Sequence, residues 1–209
     1  NQVRVLIARD REYTGTAFPY LSANLDFSTD SNLRDLVVAD GREANTIPNS
    51  VARSTVITLG GERFGIVGAT TPTLRSISSP GDVSVLPPNP QDLDALAASI
   101  QPSVDALAAQ GINKIILLAH MQQLDIEVNL ASRLRNVDII VAGGSHTLSA
   151  DESDRLRVGD TPGSVYPIIR TSANGEPIAV VNTAANYRYV GRLVAEFDPQ
   201  GRIVPASLD

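Results

Sequence analysis

No cysteine occurs among the 209 residues. Disulfides and thiolate-bound zinc are thereby excluded, while the cellular compartment stays open. Aromatic residues make up only 4%, so the core must be built from Val, Ile, Leu and Ala. No apolar run approaches the roughly 18 residues of a membrane span. The net charge is -6, which argues against a nucleic-acid polymer or an anionic membrane as partner. A phosphate-bearing ligand would need a local cation to offset that charge. There is no internal repeat and no low-complexity tract. The Lys-Ser/Thr of the glycine-rich nucleotide loop is missing, and so is the Gly-x-Ser-x-Gly elbow of serine hydrolases. The only methionine is Met121 and the first residue is Asn1. A processed or excised chain, with any signal peptide already removed, is therefore expected.

What is present reads as one α/β domain over residues 1–209, with 43% hydrophobic and 19% charged residues. Residues 3–10, VRVLIARD, fit either a strand or the end of a helix. Tyr20 to Ala23 reads as a short buried strand that ends at Asn24. The run STVITLGGERFGIVGATT reads as a hairpin around Gly60-Gly61. Asn89-Pro90 suits a helix start, and Leu93, Leu96, Ala97, Ile100, Val104 and Leu107 recur at helical spacing. Pro102 should kink or restart that helix. Phe64 to Ala69, Ile115 to Ala119 and Val137 to Ala142 read as buried parallel strands of one sheet. Helices near 91–109 and 123–135 should cover one face of it. Residues 166–172 and 177–183 should form an antiparallel hairpin with φ above zero at Asn174 and Gly175. Residues 190–197 should add its third strand, in a sheet-rich second layer, before a turn at Asp198 to Gly201 and a short return.

The two histidines occupy equivalent places. His120 follows the strand Ile115 to Ala119, and His146 follows the strand Val137 to Ala142. Parallel α/β sheets gather ligands beyond the carboxyl ends of their strands. Neighbouring strands lie about 4.8 Å apart, so both imidazoles could reach one ion at about 2.1 Å. The glycines before His146 would let the backbone turn sharply. Each histidine taken singly also reads as an ordinary loop residue, and no third metal ligand is evident from spacing. Asn24 fits a cleft residue or a plain turn residue. Gln122 or Gln123 would cap or line the cleft, and Ser145 sits within the GGSHT turn beside His146. Asp125 and Glu127 fall in a first helical turn, where the helix dipole favours acidic residues. The stretch DESDRLRVGD, residues 151–160, reads as a solvated surface.

Five segments, FPYLSANLDF, FGIVGATTPT, IILLAHMQQ, VDIIVAGGSHT and YVGRLVAEFDPQGRI, occur in this order. Together they resemble the latter part of the metallophosphoesterase domain of the 5'-nucleotidase and UDP-sugar hydrolase family, from about Phe18 to Ile203. The resemblance implies part of a four-layer α/β/β/α sandwich, with parallel strands followed by antiparallel strands. It also implies an exported protein (extracellular, periplasmic or at the cell surface) and two divalent metal ions, such as Zn, Mn, Mg or Ca, acting on phosphate esters of nucleotides. His120 matches the family's lone metal-binding histidine after a strand. GGSHT matches a Gly-Gly-His-x-His segment, but is one residue short and has one histidine instead of two. The family's Asp-x-His, Gly-Asp and Asn-His-Glu segments lie upstream of the matched part. This chain has no Asp-x-His or Asn-His-Glu, and its Gly81-Asp82 and Gly159-Asp160 stand elsewhere. The family's C-terminal substrate-binding domain is also outside the match.

The expectation is therefore the second half of a metallophosphoesterase domain. The parent would hydrolyse phosphomonoesters such as 5'-nucleotides, while this chain alone is inactive with an incomplete set of metal ligands. The alternatives are a non-catalytic surface or binding module with a degenerate metal site, or a domain with no activity of its own. An uncovered sheet edge would invite pairing with a second copy, giving a homodimer.

Overall fold

A computed structural model describes residues 2–209. In chain order the helices and strands are α1 (Gln2–Ile7), β1 (Tyr20–Leu21), β2 (Leu25–Asp26), β3 (Arg42–Glu43), β4 (Val51–Ala52), β5 (Ser54–Leu59), β6 (Glu62–Thr70), α2 (Leu74–Ile77), β7 (Ser84–Val85), α3 (Leu93–Ala108), β8 (Ile115–His120), α4 (Leu124–Ala131), β9 (Ile139–Gly143), β10 (Ile168–Thr171) and β11 (Pro177–Val181). Seven strands form the main sheet, in the order β10-β11-β9-β8-β6-β5-β3. The fold is mixed α/β, as the sequence implies.

The β-branched and leucine runs place the parallel core where expected. β6 pairs parallel with β8 and β8 with β9, in the register Val67–Leu117–Ile140. Ile115, Leu117 and Ala119 turn one way and are buried. Leu118 turns the other way and is 44% exposed. Both α3 and α4 pack on the buried face, where Leu96, Ile100, Val104, Leu107, Leu130 and Leu134 join one cluster with the strands. The opposite face carries Leu118, Val141 and His120.

The helices depart from expectation in detail. α3 is capped by Asp92, whose side chain accepts from Ala95 N at 2.8 Å, so Asn89-Pro90 forms a turn ahead of the helix. Pro102 neither ends nor restarts it. The proline lies on the exposed side, and the buried stripe on both flanks offsets one lost hydrogen bond. α4 stops at Ala131, although Leu134 beyond it is still fully buried. Residues 3–7 of the ambiguous first segment are helical.

The β5–β6 hairpin turns at Gly60-Gly61, both with positive φ. The β10–β11 hairpin is also present, but its turn differs from expectation. Ser172 N donates to Glu176 O and Gly175 N to Ser172 O, so the loop has three residues. That geometry needs one left-handed residue, Gly175 at φ 84°, and Asn174 is not left-handed. β11 pairs parallel with β9, so the hairpin extends the main sheet and builds no second layer.

Residues 190–197 do not form the expected third strand. β11 already has β9 on one side and β10 on the other. Backbone groups of residues 194–198 pair instead with the return at 202–209: Val194 with Asp209, Phe197 with Ile203 and Asp198 with Arg202. The Asp198 to Gly201 turn is present and packs on Asn113, whose Nδ2 donates to Gln200 O at 3.1 Å.

Candidate functional site

His120 is the last residue of β8, aligned with Thr70 on one neighbour and Gly143 on the other. Strand alternation puts its side chain on the face away from the helices, where it is exposed. Its ring lies on the backbone of Gly143-Gly144. A β-carbon on Gly144 would sit 2.8 Å from the ring's Cδ2 and Nε2, and one on Gly143 would sit 3.2 Å from Nδ1. Gly144 is also left-handed, at φ 88°. These glycines therefore make room for an imidazole as well as permitting a turn.

The end of β9 and the turn after β8 thus meet across His120. Gln122 is exposed and left-handed, at φ 72°, and the missing β-carbon of Gly144 would lie 3.0 Å from its N. Past Gly144, Ser145 is buried and its Oγ shares a hydrogen bond with Thr147 Oγ1 at 2.7 Å, while Thr147 N donates to Ser145 Oγ. That local turn holds His146 exposed between them. The loop is tied down by Ala184 N donating to Thr147 O at 3.0 Å. Ser145 thus supports the turn, while His120, Gln122 and His146 face solvent.

Asn24 is placed differently. It is fully buried. Its Nδ2 donates to Thr70 O and Leu86 O, and its Oδ1 accepts from Thr70 N and Ser22 Oγ. Every polar atom of the amide is committed, so Asn24 clamps the end of β6 from inside and lines no open cleft.

Glu127, which from the sequence fits a first helical turn, is placed where that reading does not explain it. Its side chain is fully buried. Oε1 accepts from Met121 N at 3.0 Å, and Oε2 is buried without a partner. Burial pushes its pKa up to about 7. The 151–160 stretch is a solvated surface, as its charges imply, and none of its residues is buried. Asp151, Asp154 and Arg155 help line a cavity of about 400 Å³, and Asp160 accepts from Tyr189 Oη and Arg188.

A resident metal ion requires several donors around one point. Among the described residues, no three His, Cys, Asp or Glu side chains gather to hold one. His120 at the end of β8 and His146, three residues beyond β9, are both exposed, and no reaction step follows from them alone. No helix among the described residues is long and apolar enough to cross a membrane.

No family model matches the chain. It is 33% identical over 187 residues to a mouse 5'-nucleotidase, an overlap of 90% of this chain and 29% of that protein. A snake venom 5'-nucleotidase of Naja atra is 28% identical over 193 residues, 91% of this chain and 32% of the relative. Among solved structures, a 5'-nucleotidase precursor from Thermus thermophilus superposes with a TM-score of 0.69 at 32% identity, over 90% of this chain and 32% of that one. The chain thus spans about a third of the length of these relatives.

Proposed function

From homology to 5'-nucleotidases across 90% of the chain, we propose that it is the latter part of a phosphoesterase catalytic domain whose parent hydrolyses small phosphate esters such as 5'-nucleotides. Residues 1–209 act as one folding unit that brings His120 and His146 to that site as metal donors. Gln122 lines the cleft and Ser145 shapes it. Two divalent metals would supply the activation of water and the neutralisation of phosphate charge. The remaining donors would come from outside this chain, which alone does not turn over nucleotides. The names of the venom and precursor relatives support an exported protein.

One observation carries this reading. The His120 ring rests on Gly143-Gly144, in the loop that carries His146 two residues further on, and this supports a site shared by the two histidines. The test compares AMP hydrolysis by this chain with hydrolysis by the longer protein that contains it, each with Mn²⁺ or Zn²⁺. Activity in the longer protein, lost in His120→Ala, is the expected result. A longer protein that is inactive with every divalent metal would overturn the reading. It would favour the non-catalytic binding module, which the shortened GGSHT segment also supports.

A further inference from the structure

We infer that Glu127 is a positioning residue for His120: its buried carboxyl fixes the peptide unit between His120 and Met121, and through it the direction of the imidazole. The inference deepens the proposed site and rests on His120 being one of its donors.

A carboxyl group with no exposed surface gives up hydration that a leucine never had. Glu127 also leaves one oxygen, Oε2, with no partner at all. The bond it does make goes to Met121 N at 3.0 Å, the first N–H beyond the end of β8. On the same peptide unit, the His120 carbonyl accepts from Thr71 N at 2.9 Å. Both polar ends of that unit are therefore held, one by the end of β6 and one by α4. The next residue, Gln122, is left-handed at φ 72°, a conformation that a non-glycine residue keeps only when its surroundings enforce it. Helix capping does not account for the contact. Gln123 is the N-cap of α4, and Glu127 reaches past it to the turn. With the peptide fixed and the ring laid on Gly143-Gly144, His120 has little freedom left.

The test uses the whole chain and NMR, since two histidines give two resolvable imidazole signals. Glu127→Gln keeps an oxygen acceptor for Met121 N–H. Glu127→Met keeps the volume and removes the acceptor. The expected result is that the Gln variant preserves the nuclear Overhauser contact between the His120 ring and Gly144. The Met variant should lose it, with Met121 amide exchange faster by about tenfold or more and the His146 signal unmoved. A filler role would leave both variants alike, and a retained His120–Gly144 contact in Glu127→Met overturns the proposal. If Glu127→Met does not fold, Glu127→Asp, one methylene too short, takes its place with the same two outcomes.

Mn²⁺ titration forms a separate arm. Broadening of the His120 signal in the unaltered chain, shifted to about tenfold higher Mn²⁺ in the acceptor-less variant (about 1.4 kcal/mol), supports both the donor reading and the positioning. No broadening of either histidine in the longer protein that supplies the remaining donors overturns the donor reading, and the positioning of the ring is then decided by the metal-free spectra.

Discussion

Asp138 and Glu127 sit at opposite ends of the same mixed sheet. Both are buried, both accept one backbone N–H, and burial pushes each up to about 7. Their surroundings differ. Asp138 precedes β9 at the end where strands begin. Its Oδ2 accepts from Ile115 N at 2.7 Å while its own N donates to Ile115 O, so it staples two strands to each other. Glu127 lies under the end where strands finish, and its N–H partner belongs to a turn that carries an exposed histidine. A perturbed carboxyl is a poor guide to function by itself. What distinguishes the two is the destination of the hydrogen bond: ladder in one case, histidine-bearing turn in the other.

The largest expected effect tests the scaffold end. Asp138→Ala leaves Ile115 N–H buried and unpaired, and should cost about 2–3 kcal/mol in urea unfolding. Asp138→Asn, which keeps an acceptor, should cost under about 1 kcal/mol. Equal losses in the two variants would mean that the carboxyl charge, rather than the bond, matters there.

Gly144→Ala comes next. The new β-carbon would lie 2.8 Å from the His120 ring at a residue with φ 88°. A loss of about 1–2 kcal/mol is expected, together with a shift of the His120 NMR signal. A His120 signal that stays in place would show that the ring does not rest on that backbone in solution.

A smaller effect is the pH dependence contributed by Asp138. Its ordinary value is 3.8 and its folded value is about 7. Between those values the folded chain holds a proton that the unfolded chain has released. Stability from this group is therefore fully present below about pH 4 and is lost as pH rises through about 7. Denaturant midpoints measured from pH 4 to 8 should fall less steeply in Asp138→Asn than in the unaltered chain.

The smallest expected effect is on stability in His120→Ala, within about 0.5 kcal/mol because the side chain is exposed. The same variant should abolish hydrolysis in the longer protein. A large stability loss would move His120 from the functional end of the comparison to the scaffold end.

The strands observed at 62–70, 115–120 and 139–143 were legible within a residue or two because their short runs of Ile, Val, Leu and Ala are satisfied by burial. Once they were placed, the two histidines at their ends followed. Glu127 was not legible. Its sequence position suits a helix dipole, and only the turn folding back over α4 reveals that it is buried. Residues 190–197 have strand-forming composition, yet a strand also needs a partner with free backbone groups. That is a fact about distant parts of the chain: β11 is flanked on both sides by β9 and β10, and residues 194–198 pair with the return at 202–209 instead. Asn174-Gly175 signalled a hairpin correctly. The loop length, set by the Ser172–Glu176 pairing, decided which of the two residues turned left-handed. Asp92 displaced Asn89 as the helix cap because its side chain lies three residues before an unpaired N–H, a spacing that Asn89 meets only with a residue still outside the helix.

The strand order of the main sheet has a consequence for how the chain is made. Read from β3 through β5, β6, β8 and β9, each strand lies beside the one synthesised just before it in that series. A nascent chain leaving the ribosome at about 5–20 residues per second would find, for each new strand, an edge already laid down to receive it. Nothing has to be threaded between two standing strands until β10 and β11. There the later strand takes the inner place and the earlier one the rim. Those two are joined by a three-residue loop, so they dock as a finished pair, and vectorial synthesis and final topology do not conflict.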